Sequence, residues 1–176
     1  MLATLASQGP GREHPHLAQE MELPREQVRF DIEMAGGSFG RRSTWDAHFI
    51  HELGNVFKAQ PGAPAERRPT KLQWTREDDV RGGYYRPIVA HRVRGAMNAD
   101  GELVGWDHTI AAQPFLPNKT GIDVTVVEGA NNLAYTTPNL RVTQHLMKTG
   151  VPTLWWRSVG HTHTGFAVEA FIDQLL

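Results

Sequence analysis

The chain has 176 residues, 40% of them hydrophobic, which is enough to build a hydrophobic core. Its 18 lysines and arginines nearly balance 19 acidic residues, so no global basic field favours a nucleic acid and none is expected as a partner. The absence of cysteine excludes disulfides and iron–sulfur clusters held by the chain's own thiolates, and no run approaches the roughly 20 apolar residues of a membrane span.

The first third of the chain predicts a strand between two helices. A short helix is expected over residues 17–23. Residues 27–34 carry an apolar side chain at every second position, which is typical of a strand. Ser43 stands where it could cap a following helix. The buried stripe of that helix would consist of Ile50, Leu53 and Phe57.

The rest of the chain predicts mainly strands. Residues 60–70 contain three prolines and indicate a surface connection inside one domain. Alternating patterns predict strands over residues 71–76, 89–97, 102–111, 140–147 and 154–156, with a hairpin turn at residues 98–101. Together with a C-terminal helix, they predict an α+β fold with a mixed sheet, hairpins and two or three helices.

The C-terminal helix carries its own prediction. Val168, Phe171, Ile172 and Leu175 fall on one helical stripe, and no glycine cap or polar tail follows them. The pattern therefore indicates a piece of a larger fold.

The segment Gly-Gly-Ser-Phe-Gly-Arg-Arg at residues 36–42 is a candidate binding loop. Its glycines lie between a predicted strand and a predicted helix, where backbone amides can approach a ligand and the helix N-terminus favours negative charge. The two arginines also favour an anion. A tight turn with its arginines in solvent explains the pattern equally well.

A second candidate segment, residues 155–163, brings together two tryptophans, an arginine and two histidines. Such residues suit a site that packs a flat ring. Composition favours a simpler interpretation, in which the tryptophans fill the core and the histidines are polar, because a metal would need a third ligand nearby. The spacing of His161 and His163 is that of one strand face.

The remaining charged and imidazole groups are expected to be structural. The charge run from Trp74 to Arg81 is interpreted as a solvated turn. Five further histidines are expected at the surface or as hydrogen-bonded core groups rather than as ligands: His48, His51, His91, His108 and His145.

Three segments together resemble one protein family. Residues 36–42 are similar to the Gly-Gly-Gly-Phe-Gly signature of the xanthine oxidase family of molybdenum hydroxylases. Residues 72–79 and 156–173 resemble the beta subunit of isoquinoline 1-oxidoreductase and its aldehyde-oxidising relatives. The matches follow the expected order and cover nearly the whole chain, so residues 1–176 are identified as part of the molybdopterin-binding domain of a larger subunit.

The resemblance implies roles for individual residues. Gln8 lies at the offset of a glutamine that hydrogen-bonds an oxygen ligand of molybdenum. Phe39 and Arg157 would approach the cofactor through their backbones, and all three residues are expected to converge on one cleft. The implied cofactor-binding residues are Gly36, Gly37, Ser38, Phe39, Gly40, Arg41, Arg157 and Ser158.

The resemblance also implies a reaction and partners. Such enzymes oxidise aldehydes or hydroxylate N-heterocycles with an oxygen derived from water. The branch is expected to use a molybdopterin cytosine dinucleotide and to pass electrons to a small subunit with two [2Fe-2S] clusters, which agrees with the absence of cysteine. Relatives of this branch include periplasmic and cytoplasmic proteins, so the compartment stays open.

Some positions depart from the family pattern. Ser38 stands where the third signature glycine is expected. In the implied substrate pocket, Ser43 replaces a glutamate and Val159 an aromatic residue of xanthine-oxidising relatives, which disfavours a purine substrate.

The catalytic base of the family, a glutamate in a Gly-Glu-Pro type motif, has no counterpart in the sequence. We therefore expect no catalysis by the chain alone. Two alternatives stay open: an inactive binding or interaction module of the same fold, which predicts that Trp155 and Trp156 are exposed on one apolar patch, and an incomplete gene product, which predicts poor solubility.

Overall fold

A computed structural model describes residues 1–116 and 121–175. The chain divides into two compact units, Met1–Gly83 and Tyr84–Leu176. Helices alternate with strands that pair both in parallel and antiparallel, so the predicted α+β class is confirmed. None of the helices in the described residues is long and apolar enough to span a membrane.

The first unit packs two helices against a small parallel sheet. Strands β1 (Leu2–Leu5) and β2 (Arg29–Ile32) pair in parallel, and helices α1 (Pro10–Glu20) and α2 (His48–Lys58) pack beside them. The short 3₁₀ turns Arg25–Gln27 and Pro64–Glu66 lie in the connections. The buried core consists of Ala3, Leu17, Ala18, Val28, Ala47 and Ile50.

Several predicted boundaries in this unit are wrong. Helix α1 begins at Pro10 and not at residue 17, since proline suits the first turn of a helix. Strand β2 ends at Ile32, and Met34 is fully exposed. Ser43 does not cap α2, because that helix begins at His48 after Ala47, whose φ is 46°.

The predicted strand over residues 71–76 is also wrong. Helix α3 (Arg76–Gly82) occupies the charge run that the sequence indicated as a turn. Thr75 caps it, since its hydroxyl accepts a hydrogen bond from the Asp78 amide at 3.2 Å. Trp74 lies outside the strands of the described residues, and its indole N–H donates to the Glu52 carboxylate of α2 at 2.8 Å. This aromatic residue therefore contacts a helix and not a neighbouring strand.

Replacing Thr75 with alanine should lower the free energy of unfolding by about 1 kcal/mol, because the N-cap of α3 loses its side-chain acceptor. Thr75→Ser keeps the hydroxyl and should stay close to wild type. Urea denaturation followed by circular dichroism measures both variants. Equal stability of the alanine and serine variants would show that the cap contributes nothing.

The second unit is a three-stranded sheet covered by the C-terminal helix. Strands β3 (Val89–Met97) and β4 (Leu103–Ala112) form the predicted antiparallel hairpin, and β5 (Leu140–Leu146) pairs with β4 in parallel. The short helix α4 (Val124–Val127) precedes β5, and α5 (His161–Leu175) lies on β3. A Cβ atom added at Gly95 would stand 2.9 Å from Leu175 Cδ1, so the glycine permits the close approach of the helix.

The predicted strand over residues 154–156 does not form. A single bridge joins Thr153 to Tyr85, and the chain then turns into α5. Leu154 is fully buried and Trp155 packs against the core around Ile110. The apolar pattern here therefore reflects burial against other elements and not a ladder of strand hydrogen bonds.

Candidate functional site

Gln8 lies between β1 and α1, and the structure brings it to the glycine segment. Its side-chain Oε1 accepts a hydrogen bond from the Gly40 amide at 3.0 Å, and its backbone amide donates to the Arg42 carbonyl at 3.0 Å. Because a backbone amide can only donate, the atom it meets must be the amide oxygen of Gln8. The Gln8 NH₂ group has no protein partner among the described residues, so it is available as a donor.

The glycine segment holds a strained residue at its centre. Phe39 has a φ of 52°, a region that a bulky residue rarely adopts, and 54% of Phe39 is exposed. Its neighbours Gly37 and Gly40 have φ values of 122° and 94°. A Cβ at Gly37 would stand 2.9 Å from the Phe39 ring. The glycines therefore allow both the turn and the fold-back of this ring.

The two arginines of the segment are tied into the first unit. The Arg41 guanidinium lies 3.3 Å from His48 Nε2 and 3.6 Å from the Asp79 carboxylate, and its side chain is only 15% exposed. Arg42 stacks over the Phe49 ring at 4.7 Å. The sequence pattern suggested that these side chains and a helix N-terminus receive an anion. The structure differs, because α2 begins eight residues after Gly40 and both guanidinium groups already have protein contacts.

Arg157 and Ser158 lie in the second unit, on the turn that leads into α5, and both are exposed. Ser158 and Val159 have φ values of 74° and 43°, and for a β-branched valine this is a real outlier. The Thr162 hydroxyl donates to the Arg157 carbonyl at 3.0 Å. Backbone strain thus occurs in both segments that the resemblance assigns to the cofactor, as is common at functional sites.

The implied pocket residues have protein contacts of their own. The Ser43 hydroxyl accepts a hydrogen bond from the Arg12 guanidinium, and Val159 packs against the core of the second unit around Ile110. Trp155 and Trp156 are half-buried and do not form an exposed patch. His161 and His163 lie on the first turn of α5, so their predicted placement on a strand face is wrong.

Sequence reasoning missed a buried carboxyl group in the first unit. Glu13, on the first turns of α1, is 1% exposed. Burial raises the pKa of this carboxyl, while the Ser7 hydroxyl and the guanidinium groups of Arg12 and Arg42 act in the opposite direction. No local pattern indicates such a site, because the position becomes buried only when α1 packs onto its unit.

Sequence reasoning also missed a line of three hydrogen-bonded histidine rings in the second unit. His91 Nδ1 lies 2.8 Å from His108 Nε2, and His91 Nε2 lies 3.2 Å from His163 Nδ1. Phe115 stacks on the His163 ring, with an angle of 16° between the two ring planes. His91 and His108 each occupy an apolar-face position of a strand, which is a signal that the sequence did contain.

Comparison with known proteins gives the family of the chain. A family model described as the molybdopterin cofactor-binding domain matches residues 1–175. The chain therefore belongs to the molybdopterin cofactor-binding domain family, which confirms the resemblance to xanthine oxidase family enzymes.

Three relatives are similar over most of the chain. The isoquinoline 1-oxidoreductase subunit beta of Brevundimonas diminuta is 25% identical over 98% of the chain and 22% of its own length. The membrane-bound aldehyde dehydrogenase [pyrroloquinoline-quinone] of Gluconacetobacter polyoxogenes is 26% identical over 92% of the chain and 22% of its own. A probable xanthine dehydrogenase subunit of Bacillus subtilis (strain 168) is 26% identical over 90% and 20%. The chain thus spans about a fifth of each relative.

Proposed function

We propose that this chain forms part of the molybdenum cofactor site in the catalytic subunit of a molybdenum hydroxylase. The observation that carries the proposal is the orientation of Gln8. The Gly40 amide fixes the side-chain oxygen of this glutamine, which leaves its NH₂ group as the donor. A donor is what an oxygen ligand of molybdenum would need from the protein.

The residues present fit such a cofactor. Gly36 has open space where a Cβ would stand, and Gly36, Gly37 and Phe39 are all exposed. Arg157 and Ser158 are exposed as well. The residues proposed to hold the cofactor are Gly36, Gly37, Ser38, Phe39, Gly40, Arg41, Arg157 and Ser158. Gln8 and Phe39 lie in the first unit and Arg157 in the second, so their convergence on one cleft stays a prediction.

The molybdenum cofactor, when bound, supplies the two-electron oxidation chemistry. The chain's own residues then orient and polarise: Gln8 donates a hydrogen bond, and the backbones at Phe39 and Arg157 fix the position of the group. We propose residues 1–176 as a partial cofactor-binding domain, with residues 60–70 as a surface connection within it.

The finer assignments are proposals of the same kind. Names of two relatives, an isoquinoline oxidoreductase and an aldehyde dehydrogenase, favour N-heterocycles or aldehydes as substrates. Ser43 and Val159 would border the substrate and disfavour a purine. A molybdopterin cytosine dinucleotide is the proposed cofactor form, and a small subunit with [2Fe-2S] clusters and the remainder of the large subunit are the proposed partners.

The interaction-module alternative gains no support, because it required Trp155 and Trp156 on an exposed apolar patch. Both are half-buried, and Trp155 belongs to the core of the second unit.

The test compares Gln8→Ala with Gln19→Ala in the complete catalytic subunit. Gln19 is exposed on α1 and serves as the matched control. Loss of one preorganised donor should lower kcat by about 100-fold and change KM little, whereas Gln19→Ala should match wild type. Molybdenum analysis and fluorescence of released pterin record cofactor content in parallel. Equal kcat values and equal cofactor content for the two variants would refute the role of Gln8.

A further inference from the structure

The three histidines of the second unit can share a limited number of protons. Each of the two hydrogen bonds that join the three rings in a line needs one N–H and one bare nitrogen. When all three rings are neutral, both hydrogen bonds can form. One added proton on His91 is also tolerated, because the central imidazolium then donates to both neighbours. A second proton would place two cations in the line and put an N–H on both sides of one hydrogen bond, which then lacks an acceptor.

The outer nitrogen atoms of this line of three rings are buried. His108 is fully buried, and its Nδ1 has no hydrogen-bond partner within the part of the chain that the structure describes. The same holds for His163 Nε2. Because the three rings are bonded in a line, they do not face a common point, and the described residues hold no cluster suited to a metal ion.

Among the described residues, no carboxylate is hydrogen-bonded to this line, although the charge of Asp107 raises the pKa of His108 against the larger effect of burial. Asp107 precedes His108 on β4 but pairs with Arg141 at 2.6 Å and Arg94 at 3.4 Å on the opposite face of the sheet. The buried Asp123 accepts from the Phe115 amide at 3.1 Å.

At the start of α5, Glu128 accepts from the Gly160 amide at 3.1 Å and lies 3.6 Å from His161. No carboxylate of the described residues is hydrogen-bonded to a ring of the three-histidine line. A second proton on these rings would therefore have no hydrogen-bonded counter-ion among the described residues.

The line is connected to the proposed cofactor segment. His163 lies on the first turn of α5, next to Thr162, whose hydroxyl donates to the Arg157 carbonyl. The Arg86 guanidinium donates to the same hydroxyl at 2.8 Å. A displacement of this turn would therefore move the Arg157 carbonyl.

We propose that His91, His108 and His163 form a pH-sensitive latch that positions the first turn of α5 and the Arg157–Ser158 segment, and that releases both when the line takes up a second proton. The significance for the cofactor rests on the proposed function; the latch itself does not. His163 acts as a positioning residue, since it reaches the segment through α5.

The direction of the pH effect follows from burial. Burial, reinforced by the charge of a protonated His91, lowers the pKa of both His108 and His163 from 6.5 to about 4. The folded state thus favours the neutral rings. The stabilisation is complete above pH 6.5 and is lost as the pH falls from 6.5 to about 4. A difference of 2.5 pKa units corresponds to about 300-fold in the unfolding equilibrium constant per histidine.

The experiment measures urea unfolding of the chain at pH 7.5 and 4.5 in wild type, His163→Phe and His145→Gln. Phenylalanine keeps the ring against Phe115 but takes up no proton, and His145 is an exposed histidine on β5. The increase in the unfolding constant between the two pH values should be at least tenfold smaller in His163→Phe than in wild type. His145→Gln should match wild type. Parallel curves for wild type and His163→Phe would overturn the latch.

Two measurements on wild type keep the proposal testable if His163→Phe does not fold. Ring signals of the nine histidines, followed by NMR, should include two that titrate near pH 4; nine titrations between pH 6 and 7 would overturn the latch. Hydrogen exchange of residues 157–164, corrected for intrinsic rates, should increase below pH 5. Unchanged protection would overturn the positioning role. Cofactor content at pH 7.5 tests the proposed function separately, because the latch is measured without cofactor.

Discussion

A methyl group added at Gly160 should lower the free energy of unfolding by about 3 kcal/mol, as overpacking against backbone does in its more severe cases. The Cβ of Gly160→Ala would stand 2.0 Å from the Thr125 carbonyl oxygen and 2.9 Å from Glu128 Cβ. A backbone oxygen cannot turn aside as a flexible side chain can. The turn before α5 must therefore shift, and with it the strained Ser158.

Gly165, five residues further on, provides the control. It lies within α5, and apart from its chain neighbours and the backbone of that helix, no atom of the described residues lies within 4 Å of its Cβ position. Gly165→Ala should raise the stability by about 0.5 to 1 kcal/mol, because alanine favours the helix. Urea unfolding of the two variants should therefore give shifts of opposite sign. A stability of Gly160→Ala equal to or above wild type would show that the close packing at this turn is incorrect.

Leu17→Ala should lower the free energy of unfolding of the first unit by about 3 kcal/mol. Leu17 is fully buried on α1 in the core that also contains Val28 and Ile50, so its removal leaves a cavity. The matched control is Leu2→Ala, since Leu2 is 59% exposed and its loss should change the stability by a few tenths of a kcal/mol. Thermal and urea unfolding measure both. Similar losses in the two variants would contradict the central place of Leu17.

Elements with local signals could be predicted from sequence. The β3–β4 hairpin has alternation in both strands and a turn in which Gly101 adopts a φ of 79°. Strand β1 could not be predicted, because four residues form it and its partner β2 lies beyond α1. The strand predicted over residues 71–76 was wrong because the indole of Trp74 contacts Glu52 of α2 and not a neighbouring strand. The spacing of Thr75 and Asp78, which is typical of a helix N-cap, was visible in the sequence.

The candidate site could be predicted from the sequence only in part. Resemblance to a family indicated Gln8, whose contact with Gly40 no periodicity predicts. The histidine line needs three elements to meet, so local sequence carries only the hint that His91 and His108 stand on apolar faces. Glu13 gave no hint, since burial of a helical glutamate is decided by tertiary packing.

The mixed pairing of the second sheet predicts an order of assembly for that unit. Strands β3 and β4 close through a short turn and can form early, whereas a parallel partner for β4 requires a long crossover. Closure of that larger loop is entropically costly and slow, so β5 joins later. The contact between His91 and His163 joins residues 72 positions apart, so we expect it to form late as the unit folds.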